Sequence, residues 1–512
     1  MKLLDMLNKT RISLKLALFI IFFAILILCV TIAWSLWKRE DDQIGQFSIH
    51  IVEPTCTENG YSIYTHIETR ETTIRDLVDA KGHTFDPWVL IQDGNEVNCS
   101  FFSHVCAVCG FEQTRAEYPS LSISRISLYG DLEGIGKKQS VPMEAYLELK
   151  EDGLSIECYA TLKYQGHTSL SYDKKNYTLK LFKDEERQDK YKLTLGHWNK
   201  ENKYILKANY VDASQCRNLV SAQVWANMCA MRQSLPEEFK TLSNYGAVDG
   251  YPIAVYINDQ FHGLFTMNLH KDDDLFAMKD NARHAIMICN YGDSPEATFH
   301  AEAEFTDNSP WEVEYCGTED ATWAKESFNQ LIRFVRTSDD ETFRRKLSEY
   351  LDVEAAIDYL IALYAFGLTN HTDQDLLFVN YGDVWIPSLY DMETAFGLSE
   401  DGSYMQEPTV FLPTRMNSGW DSGTGHLLWN RLLWNFEDEI CARYQVLRPQ
   451  ILDPQMLCNR VTAFTDGIPV VIYEAEETTN PHPISYKESI IQILNYIPER
   501  IEKLDAIFLR SE

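Results

Sequence analysis

Residues 204–229 read YILKANYVDASQCRNLVSAQVWANMC. The first seven form a short run of aromatic and apolar residues that predicts a strand. Asp212 then opens a helix that runs through Cys229, with Leu219, Val220, Val224 and Trp225 on one face. Upstream of this switch the chain predicts further short strands at 120–128, 155–163, 177–182 and 191–195. Downstream it predicts a hairpin, 252–257 and 261–267, turning at Asn258-Asp259. From Trp323 onward helices dominate, at 323–336, 353–366, 427–436, 437–447 and 489–508, interrupted by a strand pair at 376–381 and 384–389. A strand-rich front and a helical rear make the fold class α+β, with a cleft expected between the two parts.

The chain has 512 residues, of which 45% are hydrophobic and 12% aromatic, enough for a folded protein of several domains. It carries 76 acidic against 46 basic residues, a formal charge of −30. That balance argues against a general nucleic-acid binder, which needs basic surface to displace counterions from phosphates. It leaves room for a small basic pocket that takes a nucleotide.

Residues 16–37 read LALFIIFFAILILCVTIAWSLW, without a charge. At ~1.5 Å per residue such a helix covers a ~30 Å hydrocarbon core. Lys2, Lys9, Arg11 and Lys15 precede it, so residues 1–15 are expected to be a cytoplasmic tail. A cleavable signal peptide fits less well, because the apolar run is too long and no small-x-small site follows. The expectation is a single-pass membrane anchor over 16–37 and a linker over 38–47. The large C-terminal region would then lie outside the cytoplasm, at the cell membrane.

Residues 48–117 hold two small Cys/His units. The first offers His50, Cys56 and His66. The second offers His83, Cys99, Cys106 and Cys109. Cys106-x-x-Cys109 followed by Gly110 has the spacing of a zinc knuckle, with Cys99 and His83 as the completing ligands. The start-to-start distance suggests an internal repeat. Units this short bury too little to stand alone, so a metal or disulfide staple is expected, and zinc and disulfides are both open. The pattern resembles tandem Cys/His, zinc-ribbon-like repeats of bacterial surface proteins.

Over 120–510 an ordered set of segments carries a more specific resemblance. Gln165-Gly166 and Ser169 are followed by Lys174-Lys175-Asn-Tyr177-Thr-Leu-Lys180. Then come the 204–218 segment, Val255-Tyr256-Ile257-Asn258 with Gly263, and Leu389-Tyr390-Asp391-Met392-Glu393-Thr-Ala395-Phe396-Gly397. This series resembles the spore-coat protein CotH kinase family. The resemblance implies an atypical protein-kinase-like fold and ATP- and Mg²⁺-dependent (or Mn²⁺-dependent) transfer of phosphate to Ser of surface or coat proteins. Some relatives act instead as cell-surface adhesins.

Phosphoryl transfer requires a cation on the phosphates, carboxylates for the metal and a carboxylate to take the hydroxyl proton. By the family pattern Lys175 is the expected phosphate lysine, with Lys180 second. Arg217 is divided between the cofactor side and a structural pairing with a carboxylate. Asp391 and Glu393, two residues apart just past a strand, form a candidate hard-cation site. The family usually has Asp at both places, so Glu393 is a mild departure. For the catalytic base the window 369–376 offers Asp373, with His371 two residues before it, and Asp375 as second choice. Aligned without gaps, Asn370 and Asp375 stand as if two family roles had exchanged residue types. The leading expectation is therefore a membrane-anchored serine kinase of surface or secreted proteins. The alternative is a non-catalytic adhesion or envelope-assembly module on the same fold.

Overall fold

Residues 141–149 alternate buried and open side chains along their length, and their inward set is Val141, Met143, Ala145, Leu147 and Leu149. A strand with one such face needs partners that bury it. In the computed structural model, which describes residues 14–44, 46–166, 168–242, 244–292, 294–413 and 426–509, that need is met by a closed barrel. The described residues fall into two compact units, one comprising residues up to 93 together with 100–117, the other 94–99 together with 118 onward.

The smaller unit contains helix α1 (Leu14–Ile44) and two three-stranded antiparallel sheets. One is built from β1 (Phe47–Val52), β2 (Gly60–His66) and β3 (Thr72–Val78), the other from β4 (Val89–Gln92), β5 (Ser100–Val105) and β6 (Glu112–Glu117). The transmembrane expectation for 16–37 is corrected here. Among the described residues no helix is long and apolar enough to cross a membrane. The segment expected as a linker, 38–47, is helix as far as Ile44. Of the expected tail, 1–13 lie outside the described residues.

The larger unit begins with the barrel strands β7 (Ser124–Tyr129), β8 (Val141–Leu149), β9 (Leu154–Gln165), β10 (Asn176–Phe182), β11 (Lys203–Lys207), β12 (Gly250–Ile257) and β13 (Gln260–Leu269). Their order around the barrel is β10-β11-β13-β12-β7-β8-β9, and β9 pairs with β10 to close it. All pairs are antiparallel except β12 with β7. The mixed α+β composition thus stands, but the strand-rich front expected of an atypical protein-kinase-like domain is corrected to a closed seven-stranded barrel. Leu162, Tyr177, Leu179, Leu206, Val255 and Phe265 are among the side chains that fill the core. The outward set of β9 to β11 includes Lys163, Asn176, Thr178 and Lys207, and this outer face builds the site described below.

A second antiparallel sheet, of order β15-β14-β16-β17, is made by β14 (Ala285–Cys289), β15 (Trp311–Cys316), β16 (Leu376–Asn380) and β17 (Trp385–Ser388). The helices of this unit are α2 (Arg217–Ala230), α3 (Glu237–Lys240), α4 (Thr322–Thr337), α5 (Asp340–Lys346), α6 (Val353–Phe366), α7 (Leu427–Asn435), α8 (Glu437–Gln450), α9 (Pro454–Asp466), α10 (Val470–Thr479) and α11 (Tyr486–Phe508). α6 is buried on nearly all sides, which explains its continuous apolar sequence. Its N-cap Asp352 accepts the Ala355 N–H, and Gly367 in the left-handed conformation ends it.

Buried charge joins α10 to the barrel. Glu476, 1% exposed, accepts from the Lys174 ammonium at 2.6 Å and from the Leu264 N–H at 2.7 Å. Next to it His262 meets the Tyr177 hydroxyl at 3.0 Å and lies parallel to the Phe265 ring. Burial, with Lys174 nearby, pushes the His262 imidazole down to about 4. The unfolded chain therefore takes up this proton below pH ~6.5, whereas the native fold resists it until about pH 4. Its contribution is fully present above pH ~6.5 and is lost as pH falls through that window. The unfolding free energy of His262→Gln from urea melts should decline less between those limits than that of wild type, by about 3 kcal/mol in the acid–neutral difference. Parallel declines would show that another group sets the acid limb.

Candidate active site

A cavity of about 380 Å³ opens between the outer face of β9–β11 and residues of β14, β15, the 370–375 turn and the 390–394 segment. Its size suits a small-molecule ligand. Four lysines line it, Lys137, Lys163, Lys207 and Lys271, interspersed with six carboxylates, Glu312, Glu314, Asp375, Asp391, Glu393 and Glu400. Gly166 lines the mouth at φ +109, and a Cβ there would collide with the Ser169 hydroxyl, so this turn requires glycine.

Lys207 ends β11 with its side chain only 8% exposed. Its ammonium pairs with Asp391 and lies 3.0 Å from Glu393 Oε2. Burial would lower the lysine, but the two carboxylates outweigh it and hold the ammonium well above its usual range. Asp391 responds in kind. Burial raises it, yet Lys207 outweighs that and keeps it below the ordinary carboxylate range. At Glu393 burial wins, and the carboxyl is raised.

The 390–397 segment is held from behind. His371, fully buried, contacts the Tyr390 carbonyl at 2.7 Å through Nε2. Asn218 Oδ1 accepts the Met392 N–H at 3.0 Å. Arg217 donates to the Ala395 and Phe396 carbonyls at 2.6 and 3.1 Å, and its other nitrogens reach Asp212, Ser489 and Gln492. These contacts offset the left-handed backbone of Asp391 (φ 55) and Phe396 (φ 61), which non-glycine residues adopt at a cost of ~1–3 kcal/mol.

Opposite this segment Asn370 Nδ2 donates to Asp375 Oδ2 at 3.3 Å, and both residues line the cavity. Asp375 also has a left-handed backbone, φ 50. Burial first, then the charges of Asp391 and Glu393, push its carboxyl up to about 8.

The residues proposed from sequence therefore divide. Asp391, Glu393 and Asp375 meet at one cavity. Asp373 does not line it; its carboxylate packs against Gly292. Lys175 does not line it either, because its ammonium donates to the Leu170 carbonyl at 3.0 Å and to that of Tyr172. Lys180 is exposed at the other end of β10, cross-strand from Lys203. Arg217 is 0% exposed and serves the backbone, so its cofactor role gives way to positioning. Lys207 went unassigned in the sequence reading although its segment was singled out. Its signal is a single cation in the otherwise uncharged run 204–210. Lys271 was missed as well; it sits over the Tyr390 ring at 4.3 Å.

The oxygen set of Asp391 and Glu393, with Asp375 and Asn370 beside it, suits a hard divalent cation rather than a soft one. The lysines suit a multiply charged anion. One known family matches: the model described as CotH kinase protein covers residues 162–504, from the end of β9 through most of α11. No curated protein matches the chain.

Proposed function

We propose, because the chain belongs to the CotH kinase protein family, that the cavity at Lys207 is the site of a CotH-type protein kinase that transfers phosphate from ATP to Ser hydroxyls of protein substrates. Family membership implies ATP and a divalent metal in general. The observation that carries the reading for this chain is Lys207 fixed between Asp391 and Glu393 in a cavity lined by both lysines and carboxylates.

Phosphoryl transfer depends chiefly on positioning and charge neutralisation. Asp391 and Glu393 would hold Mg²⁺ or Mn²⁺, which would supply charge neutralisation on the phosphates. Lys207, already held by both carboxylates, offers an ammonium that needs no reorganisation to meet a phosphate oxygen. Lys163 and Lys271 add positive potential around the same space. Asp375 is the carboxylate placed to accept the proton of the attacking hydroxyl, and Asn370 orients it. His371, Asn218 and Arg217 act on the backbone that carries the metal carboxylates, not on the ligand.

The test is transfer of labelled phosphate from ATP and Mg²⁺ or Mn²⁺ to the chain itself and to Ser-rich peptides. Wild type and Lys180→Ala should both transfer, within about twofold of each other, because Lys180 lies outside the cavity. Absence of transfer from wild type, together with no nucleotide-induced rise in melting temperature, would overturn the kinase reading. It would favour a non-catalytic surface module on this fold.

A further inference from the structure

The two small sheets present an unusual energetic problem. Among the described residues of that unit that follow α1, the buried side chains are Cys56, Ser62, Ser103 and Cys106, with no buried aliphatic or aromatic side chain. β3 and β4 are exposed along their whole length. Hairpin sheets without an apolar core are marginal in water, and small domains of this kind use a covalent or metal staple.

The four candidate ligands supply one. Cys56 follows β1, His83 and Cys106 flank the second sheet, and Cys109 lies in the turn before β6. One ligand atom from each, three Sγ and a ring nitrogen, all fall within 4.8 Å of one another. A tetrahedral zinc with Zn–S bonds of ~2.3 Å and a Zn–N bond of ~2.0 Å requires S···S edges of about 3.8 Å and S···N edges of about 3.5 Å. Cys56 Sγ and Cys106 Sγ are 3.8 Å apart, and Cys109 Sγ is 3.3 Å from His83 Nδ1. The second shell is also present. Backbone N–H groups of Cys109 and Val108 point at the Cys106 sulfur. The His83 ring stacks on Phe111 at 4.8 Å, which fixes the imidazole plane.

We infer that Cys56, His83, Cys106 and Cys109 form one structural zinc site that ties the two small sheets together in place of an apolar core. The set differs from the sequence expectation. Cys99 belongs to the larger unit, where it is buried near Asp259 and Arg125, and Cys56 of the first sheet replaces it. A single ion takes one ligand from the β1–β3 sheet and three from around the β4–β6 sheet. With all four positions filled by protein, the site is closed and structural, without an open position for substrate.

The full chain, purified under reducing conditions with zinc in the medium, should contain about one zinc per chain by elemental analysis. Cys56→Ala should fall below about one tenth of that, and Cys99→Ala should keep it. In the metal-free chain, added Co²⁺ should give the intense visible absorption of tetrahedral thiolate coordination, absent from Cys56→Ala. Limited proteolysis at Arg70 and Arg75 should be slow with zinc and accelerate at least tenfold after chelation. That readout keeps the test valid should Cys56→Ala misfold locally. Zinc lost in Cys99→Ala and kept in Cys56→Ala would overturn the assignment. So would wild type without zinc or a Cys56–Cys106 disulfide found by peptide mapping.

Discussion

Lys207→Met should lower phosphotransfer by about 10²–10³-fold, the loss typical when one preorganised charge is removed from a transition state that develops charge on oxygen. Its effect should appear in kcat as well as KM, because an ammonium held by two carboxylates is set before the phosphate arrives. The same substitution leaves Asp391 and Glu393 facing each other without a cation, which destabilises the chain by less than the loss of a fully buried pair would, because solvent reaches both carboxylates. Added Mg²⁺ should recover part of that stability, since a divalent ion between the carboxylates replaces the lost charge. A calorimetric melt of Lys207→Met should therefore rise more steeply with Mg²⁺ than that of wild type. Lys207→Arg should not restore the rate, because a planar guanidinium cannot occupy a niche shaped for a compact ammonium. If Lys207→Met kept wild-type turnover while Lys163→Met lost it, the phosphate site would lie further along the outer face of β9.

The sequence made the elements legible wherever one face was apolar over a sufficient length. The predicted helix at 353–366 and the hairpin at 252–267 agree closely with α6 and with β12–β13. β8 was missed although its alternation is complete, and β14 was missed because five apolar residues without charges, AIMIC, look like any buried segment. Barrel closure could not be read, since it depends on the β12–β7 parallel pairing between strands about 130 residues apart. The membrane-span reading rested on the length of one uncharged run and its flanking charges, and among the described residues no helix is long and apolar enough to bear it out. In the site, the metal carboxylates were legible because a paired carboxylate after a strand is a local pattern. The lysine was not. Lys174, Lys175 and Lys180 stood out as a cluster, yet one is buried against Glu476, one donates to backbone carbonyls and one faces solvent. A cluster of cations reveals little about direction, whereas Lys207 is singular, buried and aimed by strand alternation at the cavity.

Asp375→Asn should be the second severe lesion, lowering kcat by about 10²–10⁴-fold, the range for loss of a positioned general base. Asp373→Asn should cost less than about tenfold, because its carboxylate packs against Gly292 rather than lining the cavity. The two substitutions are chemically identical and two residues apart, so their contrast separates catalysis from local disturbance. The pH dependence sharpens it. Burial and the neighbouring carboxylates raise Asp375 to about 8, so in the free chain the group is largely protonated at pH 6 and ionised at pH 9. Only the ionised form can accept the hydroxyl proton. The kcat/KM of wild type, which reports ionisations of the free enzyme, should therefore rise with pH, inflect near 8 and level off about one pH unit higher. Asp375→Asn should retain a low, flat profile over the same interval, whereas Asp373→Asn should keep the rising limb. A rising limb that survives in Asp375→Asn and vanishes in Asp373→Asn would return the base to Asp373 and require the 370–375 turn to reorganise when substrate binds.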